Sequence, residues 1–183
     1  MTRLLAAVRS LGVSCLCVLT VGPLPARAQR SRVVIVVPGQ LTKVLPDTLG
    51  KPYDVPFPPA EVYHALLAVY AELKIPSEVK DSAAGEIASQ LFYRQGSIAG
   101  RQISSYLSCG DSMTGPHADS HRVFMNIWST LVPSGNGVIL RTAYVAGAVN
   151  MSEGLRQPMP CESTGRLEYR IHQLVMKKLL LGR

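Results

Sequence analysis

The stretch HRVFMNIWSTLVPSGNGVILRTAYVAGAV, residues 121–149, decides the fold. Two runs dense in β-branched and aromatic residues, His121 to Val132 and Gly137 to Val149, flank the turn cluster Pro133-Ser134-Gly135-Asn136. This pattern predicts a long antiparallel hairpin. In the first run Val123, Met125, Ile127 and Leu131 share one face, while Phe124 and Trp128 share the other. Both faces are more apolar than a sheet with one wet side requires. One face is expected to meet helices. The Phe124–Trp128 face, continued across the hairpin by Tyr144 or Val145, is either covered by residues 38–58 or left open as a contact surface for a partner.

Outward from the hairpin, the helices are read from periodicity and punctuation. Pro59 suits a first helical turn, where its missing N–H costs nothing. From there Val62, Leu66, Val69 and Leu73 recur at helical spacing, widened by Tyr63, Leu67 and Tyr70, until Pro76 stops the run. A last helix begins near Ser163 or Thr164, either able to cap it, and places Leu167, Ile171, Leu174 and Val175 on one face. Lys177 and Lys178 fall in its last turns, where they favour the negative end of the helix dipole.

The other segments are shorter. Glu78 to Asp81 and Glu86 to Tyr93 read as strands around a turn at Ser82 to Gly85. Arg32 to Val37 reads as a strand apolar on both faces. Residues 38–58, with five prolines, read as an extended surface connection. Residues 94–108 stay open between helical turn and strand; Asp111 to Ser120 and residues 150–160 read as loops. The order fits an α+β domain, an antiparallel sheet with two helices packed on one face. The organisation expected is a 29–58 N-terminal strand and Pro-rich connection before a 59–183 core, with strand 32–37 joining the sheet.

Residues 1–28 have the pattern of a cleaved secretory signal: Arg3 and Arg9, an apolar run from Leu11 to Val21, helix breakers at Gly22, Pro23 and Pro25, then Ala26-Arg27-Ala28. Cys15 sits inside the apolar run without the upstream residue of a lipoprotein box. Of the +7 formal charge, Arg3, Arg9 and Arg27 supply three, leaving 16 basic against 12 acidic residues. Charge that is small and dispersed argues against a nucleic-acid partner, and the mature chain has no transmembrane span. The expected location is exported, periplasmic or extracellular. Cys15 and Cys17 leave with the leader, so Cys109 and Cys161 remain as the one possible intramolecular disulfide in an oxidising compartment.

Two constellations invite chemistry. Cys109-Gly110-Asp111-Ser112-Met113-Thr114 is similar to the Gly-Asp-Ser-Gly-Gly block of trypsin-like proteases, but Met113 and Thr114 replace the two glycines that help shape the backbone at the oxyanion site. It also resembles the Gly-Asp-Ser block of GDSL esterases, but that family places its nucleophile after the first strand and an Asp-x-x-His block far downstream. Here Tyr169, not an Asp, stands three residues before His172. A serine nucleophile needs a base within reach, and Gly, Asp and Ser also build ordinary tight turns. In an extended segment, His117, Asp119 and His121 would face one way and could offer ligands to a zinc-like ion, though nothing identifies a fourth. No dinucleotide, phosphate-loop or metalloprotease motif is present, and no cofactor or metal is assigned.

From Val62 to Glu86 a helix ends in Leu73-Lys74-Ile75, a short strand reaches Asp81, and Gly85-Glu86 opens the next strand. This resembles the opening of the helix-grip domains in the small lipoproteins of the bacterial outer-membrane β-barrel assembly machinery. The terminal helix would complete such a grip. The resemblance implies a non-catalytic envelope module that works by contact, and it transfers no functional residue. The expectation is therefore an exported binding or scaffolding module with an unnamed protein partner; the alternative is a small secreted serine hydrolase using Ser112.

Overall fold

A computed structural model describes residues 50–152 and 158–182. The expected strand at 32–37 lies outside them. The central feature is the predicted hairpin: β10 (Arg122–Ser134) and β11 (Gly137–Val149) pair antiparallel from Arg122↔Val149 to Ser134↔Gly137. Each outer edge of this ribbon carries two short strands end to end. Along β10 run β4 (Phe92–Gln95) and β3 (Glu86–Ala88), with β2 (Val79–Asp81) beyond β3. Along β11 run β1 (Pro52–Val55) and β12 (Pro158–Ser163), with β7 (Leu107–Ser108) beyond β12. The result, among the described residues, is an eight-stranded antiparallel sheet. Helices α1 (Pro59–Glu72) and α3 (Arg166–Leu181) pack on one face, giving the expected α+β architecture.

The core follows the hairpin's parity. Val123, Met125, Ile127 and Leu131, with Leu140, Ala146 and Ala148 across the register, meet Val62, Leu66, Val69, Ile171 and Val175 in one buried cluster. Pro59 stands in the first turn of α1, as the sequence predicts. A chain of hydroxyls crosses this interior, Tyr70 to Ser129 at 2.9 Å and Ser129 to Thr142 at 2.7 Å. Each is buried, and each has a partner because an unpaired hydroxyl here would cost on the order of 1–3 kcal/mol.

Several local expectations are corrected. Residues 38–58 are read as a connection without elements, yet within the described part β1 forms at Pro52–Val55. Prolines are tolerated because Pro52 is the first residue of β1 and, among the described residues, β1 pairs with β11 alone, while Val55 and Phe57 are buried. The strand expected over Glu86–Tyr93 breaks after Ala88. Between the pairs Ala88↔Trp128 and Phe92↔Met125 lie three residues on one strand and two on β10, a bulge of one. Ser89 repairs the ladder there: its hydroxyl accepts from the Ile127 N–H at 2.8 Å, and its own N–H donates to the Ile127 carbonyl at 2.7 Å.

The open segment 94–108 resolves into a small hairpin, β5 (Ser97–Ile98) with β6 (Arg101–Gln102), then a 3-10 turn at Ile103–Ser105 and β7. The expected loop at Asp111–Ser120 folds as a tight hairpin, β8 (Asp111–Ser112) with β9 (Gly115–Pro116), followed by the helical turn α2 (His117–Ser120). The loop expected over 150–160 gives way to β12 at Pro158. Helix α3 starts one to two residues later than expected, with Gly165 at the cap position and φ of 77°. Thr164 cannot cap because its hydroxyl donates to the Tyr106 carbonyl at 3.0 Å, and the Ser163 hydroxyl donates to Glu168 at 2.6 Å.

Candidate functional site

The two cysteines form the expected disulfide, Cys109–Cys161. It ties the segment after β7 to β12, beside the pairing Cys161↔Ala146. The motif next to it is structural in its hydrogen bonding. The Ser112 hydroxyl lies 2.9 Å from Thr114 Oγ1 and donates to the Gly115 carbonyl at 3.0 Å, both within its own exposed turn. Among the described residues no hydrogen bond joins Ser112 to a histidine.

The histidine constellation changes with its backbone. The extended geometry that would align His117, Asp119 and His121 is replaced by a helical turn, in which residues two apart do not face one another. His117 and His121, four apart, come together with ring centroids at 4.5 Å. Asp119 instead accepts the Ser104 backbone N–H at 2.8 Å, anchoring the preceding turn. Among the described residues no group of three potential ligands assembles.

Register fixes which side chains share the Phe124–Trp128 face, and its centre is buried; residues 38–49, most of the expected cover, lie outside the described residues. Trp128 is only 2% exposed and packs with Ala88, Ala143 and Val145, with Phe124 against them. Val145 continues that face, whereas Tyr144 pairs with Ile127 and joins the helix side. What stays accessible is its outer end, where Tyr93 is 52% exposed, its ring 5.9 Å from Phe124 and 4.6 Å from the Arg122 guanidinium.

A concavity lies beside each of the two long helices. A groove of about 690 Å³ runs between α1 and the turn joining β2 to β3, lined by Pro59, Tyr63, Leu67, Lys80, Leu131 and Pro133. Gly85 shapes its floor: with φ of 67°, a side chain there would come within 2.7 Å of the Leu131 carbonyl. A second cleft of about 410 Å³ opens at the start of α3, between Lys51, Tyr53, Arg166, Glu168 and Tyr169. Burial perturbs Tyr53 and Glu168 within it. The Glu168 carboxyl is held above the usual carboxylate range by burial, against the opposing hydrogen bond from Ser163. His172, one turn on, is held below the usual imidazole range by burial and stacks on Tyr53 at 4.6 Å. Tyr144 donates to the Tyr106 carbonyl at 2.5 Å, and burial pushes its hydroxyl up.

Sequence reasoning misses this cleft. One signal was available: Glu168 lies between Leu167 and Ile171 on the stripe that α3 buries, and an acid on such a stripe is seldom there for solvation.

Taken together, these features define a disulfide-linked α+β domain with an apolar groove and a polar cleft. Compared with known proteins, the chain matches no family model and no curated protein. Among the described residues no helix is long and apolar enough to cross a membrane.

Proposed function

We propose that this chain is an exported, non-catalytic binding module of the bacterial envelope, periplasmic or extracellular, that works through protein contacts. The observation that carries the reading is the groove beside α1, whose size and apolar lining with a few polar groups suit an anchoring side chain of a partner. The Cys109–Cys161 bridge supports an oxidising location, and the signal-like leader supports export. Two helices on one face of an antiparallel sheet are compatible with the helix-grip resemblance at 62–86. No nucleic-acid partner is expected, since the charge is dispersed.

The test combines address, contact and catalysis. Mass spectrometry of the exported protein should give a chain beginning at Gln29. A photo-crosslinking residue at Leu67 should capture a discrete partner in the native envelope, and a bulky charge at Ala60 should abolish that capture. Stoichiometric labelling by a fluorophosphonate, lost in Ser112→Ala, would overturn the reading in favour of a serine hydrolase.

A further inference from the structure

We propose that the groove beside α1 receives its partner as an extended strand, added antiparallel to the free edge of β2, with an acidic side chain opposite Lys80 and an apolar one two residues before it. This rests on the reading of the groove as a partner site and names the partner segment. β2 pairs with β3 alone, so among the described residues its other edge carries no strand. Such an edge is a template for a strand from another chain, held by main-chain hydrogen bonds.

Register decides what an added strand presents to the helix. Lys80 pairs with Ile87 and Ile87 with Ser129, whose hydroxyl meets Tyr70 of α1, so Lys80 stands on the helix side of the sheet. On the added strand, the residue opposite Lys80 and those two away from it share that side. In an antiparallel strand the residue two before lies toward the Ser82–Gly85 turn, where Tyr63, Leu67 and Leu131 line the groove. Charge then selects the occupant. Lys80 is exposed and in no ion pair among the described residues, and no acidic side chain is among those lining the groove. The adjacent Asp81 carboxylate is engaged in its own turn, accepting the Ala83 and Ala84 N–H groups at 3.0 and 2.9 Å. An acid opposite Lys80 forms a cross-strand pair, whereas a second copy pairing β2 with β2 about its middle residue would set Lys80 against Lys80. With only three residues in β2, main-chain bonds alone hold a peptide weakly, and the apolar side chain in the groove supplies the anchor.

The probe is a short, capped, threonine-rich peptide with one leucine two residues before one glutamate, titrated into the purified protein and followed by backbone amide shifts and hydrogen exchange. Saturable shifts are expected at Val79, Lys80, Asp81 and Leu67, with exchange slowed in β2 only when peptide is present. Lys80→Glu should weaken this peptide by about fivefold and tighten a version carrying lysine in place of glutamate by a similar factor. The Lys80 side chain is exposed, so the variant keeps the fold. N-methylation of the peptide backbone should abolish the shifts. Absence of saturable shifts in β2, binding that survives N-methylation, or unchanged peptide preference in Lys80→Glu would each overturn the proposal. Protection of all three β2 amides before peptide is added would also overturn it, because another segment of this chain or a second copy would then hold the edge. A Leu67 crosslink in the native envelope with no peptide shift in β2 defeats this inference alone, and peptide shifts without any crosslink defeat the envelope-partner reading instead.

Discussion

Glu168 is where the chemistry of a single residue is most exposed to test. Its carboxyl titrates above the ordinary value of 4.5 in the folded chain because burial penalises the charge. The folded state therefore holds the proton more tightly than the unfolded one. The stability this confers is fully present below pH 4.5 and is lost as pH rises through the folded value. Glu168→Gln removes that dependence, so the stability difference between variant and unaltered protein should shift in the variant's favour from pH 4 to pH 7. Urea denaturation at the two pH values measures it; a constant offset would refute the assignment. His172 runs the other way: its depressed value means that stability present above the ordinary imidazole range is lost as pH falls. The interior hydroxyl chain makes a second prediction at this scale. Tyr70→Phe leaves Ser129 with Thr142, and Thr142→Val leaves it with Tyr70, so each should cost about 1 kcal/mol in urea denaturation. Ser112, the residue with the most suggestive sequence neighbours, turns out to be bonded inside its own turn. Motif and geometry part company there because Gly, Asp and Ser stabilise tight turns by the same groups that would serve catalysis.

Among the elements, those with long periodic signals were legible. The hairpin at 121–149 and both major helices stand within a few residues of where the pattern puts them, because one buried face imposes a period over many residues. Short elements were not. β1 has only four residues and two prolines at its borders, and its strand character comes from the free edge of β11 opposite Val138–Arg141. The bulge at Ser89–Leu91 is likewise invisible in composition, since an alternating run does not reveal which residue its partner will skip. Ser89→Ala should expose that device: it removes the acceptor of the Ile127 N–H and should destabilise by about 1–2 kcal/mol, read as a lowered urea midpoint with an unchanged slope. Gly85→Ala tests the neighbouring turn. A side chain at a positive φ, within 2.7 Å of the Leu131 carbonyl, should cost more than the ~1 kcal/mol expected of an unstrained glycine replacement.

At the scale of the whole molecule, the disulfide closes a 52-residue separation and is buried in the main core, where Cys161 shares the helix-side face with Ala146. Reducing it, or replacing both cysteines by serine, should cost about 2–4 kcal/mol in guanidinium denaturation, while the unreduced protein shows no alkylatable thiol at Cys109 or Cys161. The Glu72–Lys178 ion pair joins the end of α1 to the last turn of α3 at 2.7 Å, but both side chains are substantially exposed, so its loss should barely register. By itself the sequence determined the fold class, the parity of the hairpin faces, the placement of the two long helices and the single cysteine pair, because these depend on local periodicity and on counting. Only the tertiary structure decided which short segments became edge strands, that Asp119 turns away from His117 and His121, that Trp128 is buried, and that Glu168 faces a cleft with Lys51, Tyr53 and Arg166. Those outcomes depend on partners distant in the chain, and a side chain's burial and charge state are set by the neighbours the fold brings to it.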